Sequence, residues 1–323
     1  LMTTESYKMS REFSLERLNK AIQYGFLRDM IHMSEAVHEH GFSDIADEIL
    51  QRGDVKLVLV AGPSSSGKTT SSKRLALHLR VNRINPVVIE MDNYFLDRDK
   101  TPLDENGDYD YETVYALDLD LLNDHLQKLS EGEEVEIPNY NFALGKKEYR
   151  GNKIKLKEND IVVMEGIHAL NPVLTSGIDD SMKYKLYVAP LSRLKLDWDN
   201  DVTTFDNRLL RRMVRDYQFR GISPEGTILR WPKVRAGEQK YIYPYKELAD
   251  SMFNSSLMYE LPLLKCYAEP RLKGITPNSP VYEEAQRILD FLTQITPIIP
   301  SDLNAIPPTS IAREFIGGSS LTY

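Results

Sequence analysis

Residues 62–69 read Gly-Pro-Ser-Ser-Ser-Gly-Lys-Thr, a G-x-x-x-x-G-K-[ST] loop between an apolar run at Val55 to Ala61 and a helix-forming stretch. No other segment constrains the fold as tightly. Such a loop needs a buried strand behind it to aim it and a helix ahead of it whose first N–H groups are unpaired. It therefore commits the chain to a strand–loop–helix unit in an α/β layer structure. Glycines let backbone N–H groups turn inward, and the new helix presents its positive end to anions. Gly62, Pro63, Ser64, Ser65, Ser66, Gly67, Lys68, Thr69 and Thr70 are thus the expected ATP-binding residues. Lys68 is placed to reach the β and γ phosphates and Thr69 to hold Mg²⁺.

The surrounding pattern agrees. Apolar runs of strand length recur at 86–91, 160–165 and 184–189. Between them lie amphipathic helices, Ser71 to Arg80 with Leu75 and Leu79 inward, and Leu119 to Ser130 with Leu122, Leu126 and Leu129 inward. This alternation predicts a three-layer α/β fold with a mostly parallel sheet. Residues 1–52 read as a helical N-terminal extension of two or three short helices. In it Met30, Met33 and Val37 share a face and Gly41 acts as a stop; His32, His38 and His40 cluster there and read as surface histidines rather than a metal site, since no cysteine or paired carboxylate completes a ligand set. Residues 53–295 form the phosphate-loop domain, with an acceptor-binding insertion at about 93–158, including a small β-hairpin region, and a lid at about 208–240. After a helix near 281–294, Pro297, Pro300, Pro307 and Pro308 predict an extended tail over 296–323 that wraps the domain and takes no part in chemistry.

Composition narrows the function classes. With 323 residues, 41% of them apolar, the chain can bury a large core. Its 48 acidic against 40 basic residues give a net charge of -8, which opposes general binding to nucleic acid or to a membrane surface. No apolar run approaches the roughly 18 residues of a membrane span. Cys266 is the only cysteine, so no internal disulfide can form; it reads as a core-filling thiol in a protein of a reducing, cytoplasmic compartment. Leu1 in place of an initiating methionine suggests a longer parent chain, and homo-oligomerisation is left open.

A phosphate loop needs a partner acid at the end of a neighbouring strand, and Ile161-Val162-Val163-Met164-Glu165-Gly166 supplies Glu165 as the second Mg²⁺-side residue. His168, just beyond, could touch substrate or point into solvent. A guanine-reading N-K-x-D segment is absent, since Asn19-Lys20 is followed by Ala21-Ile22 and precedes the loop. The L-S-G-G-Q signature of transport ATPases is absent too. Asp92, directly after the strand ending at Met91, sits where the carboxyl edge of a sheet holds its ligands, and it is the candidate general base.

From Asp92 onward a specific resemblance runs along the chain. Asp92-Asn93-Tyr94-Phe95, Asp110-Tyr111-Glu112 through Ala116-Leu117-Asp118, Ile137-Pro138-Asn139-Tyr140-Asn141-Phe142, Glu165-Gly166-Ile167, Arg208 through Asp216, and Tyr243-Pro244 through Ala249-Asp250 follow in register. These resemble the uridine kinase and phosphoribulokinase family of P-loop kinases over roughly residues 55–255. The flanks, including Ile311 to Ser319, are similar to a bacterial branch whose longer chains carry TGS and threonyl-tRNA-synthetase-like regions ahead of the kinase. The resemblance implies ATP-dependent phosphoryl transfer to a nucleoside 5′-hydroxyl. Asp92 would be the general base, Glu112 would bind the ribose hydroxyls, Tyr140 and Phe142 would wall the base, and Arg208 would contact the acceptor or its new phosphate. Arg212 and Arg215 would join the ATP site.

The same arginine cluster, with Arg211 and Arg220, reads otherwise as a solvated helix face, an RNA-binding patch, or a lid that closes on phosphate charge; the lid suits an acidic chain best. Two positions depart from the family pattern. Gly145 stands where pyrimidine kinases carry a histidine that touches the base, and Asn141 stands in place of an aspartate. Base selectivity is therefore expected to be relaxed. Uridine or cytidine is the first acceptor expected, a phosphorylated sugar the second, and a regulatory nucleotide-binding module without turnover the third.

Overall fold

The computed structural model describes residues 14–141, 144–191 and 204–321. Five strands form one sheet: β1 (Leu57–Ala61), β2 (Asn85–Glu90), β7 (Asp160–Glu165), β8 (Lys183–Ala189) and β9 (Ser251–Asn254), in the order β2-β7-β1-β8-β9. Every neighbouring pair is parallel, with Leu57 opposite both Val162 and Lys183. β1 and β7 are buried at every residue, as strands covered on both faces must be, and this explains their unbroken apolar runs. β7 and then β2 lie to one side of β1, and β8 and then β9 to the other. The carboxyl end of β1 is thus a topological switch point, where open α/β sheets hold ligands.

Side chains alternate across the sheet. Leu57 and Leu59 face one core with Ile89, Val162 and Met164, closed by Leu122, Leu126 and Leu129 of α4 (Leu119–Ser130). Val58 and Val60 face the other with Val163, Leu186 and Val188. That side is closed by Leu75 and Leu79 of α3 (Lys68–Val81) and by Phe42, Ile45 and Ile49 of α2 (Leu27–Arg52). Two antiparallel pairs project between α4 and β7: β3 (Glu134–Glu136) with β6 (Lys153–Lys155), and β4 (Asn139–Asn141) with β5 (Lys146–Glu148). A third core joins α1 (Leu15–Gln23) to α5 (Thr204–Phe219), α6 (Pro224–Tyr241), α7 (Glu260–Leu272), α8 (Tyr282–Thr293) and the C-terminal segment. No helix among the described residues is long and apolar enough to cross a membrane.

Several expectations are corrected here. α2 runs through Gly41 without a break. A Cβ at Gly41 would lie 3.1 Å from the Phe253 ring, so the glycine serves close helix-to-sheet packing and not termination. Met30 is buried, whereas Met33 and Val37 point outward. His38 is also buried, its Nε2 3.0 Å from the Ser256 carbonyl, and burial pushes its pKa down to about 3. Cys266 is exposed and fills no core. The C-terminal segment is not extended. It folds into a 3₁₀ turn (Pro300–Ala305) and a short helix, α9 (Arg313–Ile316), with Ile306, Ile311, Phe315 and Ile316 buried. Proline forbids a long helix, but it does not forbid short turns whose apolar residues find a core.

Candidate active site

The phosphate loop leaves β1 at Gly62, where a Cβ would stand 2.0 Å from the Val188 carbonyl oxygen; only glycine lets the loop pass so close to β8. Ser65 (φ +57°) and Gly67 (φ +86°) take left-handed conformations that turn the chain into α3, which begins at Lys68. Lys68 Nζ folds back over the loop to within 3.4 Å of the Pro63 carbonyl oxygen. Thr69 Oγ1 donates to Glu165 Oε1 at 2.9 Å. Glu165 ends β7 in a buried position, and burial raises its pKa to about 7, against the pull of Lys68 and with reinforcement from Asp92 and Glu90. Among the described residues no cluster of three or more His, Cys, Asp or Glu could cage a metal ion. A hydroxyl paired with a carboxylate beside a phosphate loop suits Mg²⁺, which favours oxygen ligands and completes its octahedron with water and phosphate oxygens.

Asp92 lies in the 3₁₀ turn Met91–Tyr94 directly after β2. Desolvation raises its carboxyl above the usual range; Lys68, Arg220 and Arg215 oppose that rise and Glu90 adds to it. Lys68, Thr69, Asp92 and Glu165 are therefore gathered at one end of the sheet. Such a group can hold phosphate, hold a divalent cation and accept a proton.

The arginines of α5 divide into two sets. Arg208 and Arg211 are fully buried. Arg208 is forked onto Glu238 of α6, at 2.5 Å to Oε1 and 2.7 Å to Oε2, and also donates to the Ser64 carbonyl at 3.1 Å. Glu238 Oε1 in turn accepts from Ser64 N–H at 3.0 Å. The resemblance places Arg208 against the acceptor or its new phosphate; here its guanidinium is held by Glu238 and by the phosphate loop. Arg211 pairs with Glu260, 2.8 Å to Oε2, and donates to the Ser255 carbonyl at 2.7 Å. Leu209, Leu210, Met213 and Val214 fill the core between them, so α5 is packed helix and not a solvated arginine face. Arg212, Arg215 and Arg220 gather on Asp216, within 3.3, 2.9 and 3.7 Å. Arg212 also donates to Ser64 Oγ at 2.5 Å. Glu238 and Asp216 organise the cluster, and sequence reasoning passed over Glu238. Its signal was available, since an arginine amid Leu209, Leu210, Met213 and Val214 needs a buried counter-charge.

On the acceptor side, Glu112 packs against Gly237 of α6, where a Cβ would lie 2.8 Å from the Glu112 Cβ. Burial raises the Glu112 pKa to about 7, with Arg212 opposing and Glu238, Asp110 and Asp92 adding. Tyr140 is buried, its N–H donating to Asn93 Oδ1 at 3.2 Å, and its ring lies 5.6 Å from that of Phe95. Phe95 meets Tyr111 edge-on at 6.2 Å and extends this aromatic wall. Phe142 lies outside the described residues. His168 does not point into solvent: it is buried edge-on to Tyr241, and burial holds its pKa near 4. Asn141 is engaged within its hairpin, donating to Glu148 at 2.9 Å. Gly145 sits at φ +67°, with Arg98 Nε 2.7 Å from where a Cβ would be.

Residues 57–260 match the family described as the phosphoribulokinase / uridine kinase family. The chain belongs to this family. Uridine kinases from Halalkalibacterium halodurans and Staphylococcus aureus are 34% and 33% identical to it over 196 residues. The matched stretch is 60% of this chain in both cases, and 83% and 84% of the respective relatives. Among solved structures, a possible uridine kinase from Bacillus stearothermophilus aligns with a TM-score of 0.43 at 20% identity, covering 65% of this chain and 97% of that one. The chain is accordingly a P-loop nucleotide-binding kinase with a parallel central sheet. The family match stops at residue 260, the first residue of α7, so the rest of α7, α8 and the C-terminal segment lie beyond it.

Proposed function

We propose that the chain transfers the γ-phosphoryl group of ATP to the 5′-hydroxyl of a nucleoside, uridine or cytidine first. The observation that carries this reading is the convergence of Lys68, Thr69, Glu165 and Asp92, with Glu112 electrostatically coupled to Asp92 and with Phe95 of the Phe95–Tyr140 ring pair following Asp92 in the same segment. Phosphoryl transfer asks little covalent chemistry of a protein and depends on positioning and charge stabilisation. The loop N–H groups and Lys68 orient the triphosphate, and Arg212, Arg215 and Arg220 oppose its charge. Asp92 accepts the proton of the acceptor hydroxyl, and Glu112 receives the ribose hydroxyls against the aromatic wall. Thr69 and Glu165 are the residues that would hold Mg²⁺, which shields the phosphate charges when bound. Arg208 acts at one remove, through Glu238 and Ser64, by fixing the loop.

The test is ADP release with ATP as donor across uridine, cytidine, adenosine, guanosine and a set of sugar phosphates. Stimulation by nucleosides supports the reading. Stimulation by sugar phosphates alone moves the acceptor to that class, and no stimulation by any acceptor favours a regulatory nucleotide-binding module.

A further inference from the structure

The C-terminal segment reaches the phosphate loop. Ile311 is fully buried, its Cγ2 2.7 Å from where a Cβ at Gly67 would stand. Three residues on, Glu314 Oε2 accepts from the backbone N–H of Thr70 at 3.2 Å and from Thr70 Oγ1 at 2.6 Å. Thr70 is the third residue of α3, at the helix start where a phosphate loop turns its backbone N–H groups toward an anion.

We propose that Glu314 is an internal competitor for the nucleotide: its carboxylate takes the Thr70 donors that a phosphate of ATP would take, and it must leave them for ATP to seat. This rests on the functional reading above and adds a self-occluding contact to it. A carboxylate and a phosphate oxygen are both anionic acceptors. They cannot share one N–H at full strength, and they repel each other across a few ångströms.

The segment around Glu314 is firmly held. Ser310 Oγ donates to Glu35 at 2.6 Å, Arg313 donates to the Ile306 carbonyl at 2.8 Å, and the Phe315 carbonyl accepts from Gln218 at 3.2 Å. Glu314 itself is only half-buried, so rotation of its side chain clears the donors while the segment stays docked. The carboxylate thus acts as a gate on affinity, and its departure is a fixed cost subtracted from every nucleotide bound.

The experiment is titration calorimetry of ATP into the full chain, wild type and the variants Glu314→Gln, Glu314→Ala and Lys68→Ala, with thermal melting of each in the absence of ligand to confirm cooperative folding. Both Glu314 variants are expected to bind ATP more tightly than wild type, by on the order of tenfold, the scale of a hydrogen bond to a charged group. Equal or weaker binding by both variants overturns the proposal and makes Glu314 a neutral or supporting contact. ATP binding that Lys68→Ala leaves untouched, or no binding by wild type and both Glu314 variants, overturns the phosphate-site reading itself. The two failures are therefore distinct.

Discussion

Thr69 Oγ1 donates to Glu165 Oε1 at 2.9 Å, joining the first turn of α3 to the end of β7. Two segments separated by 96 positions in the sequence meet there because β7 pairs directly with β1, with Glu165 in register with Val60. The contact places a hydroxyl and a carboxylate where the chain turns from strand to phosphate loop.

Glu165 titrates in the neutral range, so its cation affinity depends on pH. With its pKa raised to about 7, the carboxylate is protonated in a growing fraction of molecules as pH falls from 8 to 6. The Mg²⁺ concentration for half-maximal rate is expected to climb over that interval, and Glu165→Gln should show a high, pH-independent requirement. The sign for stability is opposite. A carboxyl whose folded pKa exceeds its unfolded value favours folding while protonated and loses that contribution as pH rises through about 7. Without metal, Glu165→Gln should therefore be more stable than wild type at pH 8 by up to about 3 kcal/mol, measured by urea unfolding.

Asp92 carries the proton transfer in this account. Asp92→Asn should lower kcat by roughly 10² to 10⁴ while ATP binding, followed by calorimetry, stays near wild type. Because its carboxyl sits above the usual range, the acid limb of the wild-type kcat/KM profile should fall at a pH above that of a free aspartate. A variant with near-wild-type kcat removes Asp92 from the mechanism.

Arg208 separates a structural role from an acceptor contact. Arg208→Ala leaves Glu238 buried without its forked partner, a loss of about 3–5 kcal/mol in folding stability by denaturant titration. ATP affinity should fall with it, since Ser64 is held by the same pair. Unchanged stability with a raised KM for the acceptor would return Arg208 to the acceptor site.

The sheet and the phosphate loop were legible because their signals are local. A buried parallel strand needs an unbroken apolar run, and the loop needs glycine where β8 approaches at Gly62. The positions of Asp92 and Glu165 followed from strand ends. What was hidden depends on distant pairing: Glu238 lies 30 residues from Arg208, and Glu314 lies 244 residues from Thr70. No periodicity reports such contacts. The N-terminal extension misled for the opposite reason, because Gly41 lowers helix propensity while packing against Phe253 outweighs it.

Gly145 shows how local geometry changes a substitution's outcome. A histidine there faces a left-handed backbone and the Arg98 side chain at 2.7–2.9 Å. Gly145→His should lose about 1–3 kcal/mol of stability and leave selectivity among uridine, cytidine, adenosine and guanosine no sharper. Wild type itself should discriminate among them by less than about 10²-fold in kcat/KM, the range of stacking and weak contacts. A stable variant with sharpened pyrimidine preference would show that Arg98 yields and that the histidine position is open.

The central claim is that Lys68 and Asp92 serve one transfer from ATP to a nucleoside hydroxyl. Its most direct test follows label from γ-labelled ATP into uridine, with the product position fixed by phosphorus NMR. The account predicts uridine 5′-monophosphate from wild type and almost none from Lys68→Ala or Asp92→Asn. Labelled inorganic phosphate as the only product, at equal rates with and without nucleoside, would contradict it.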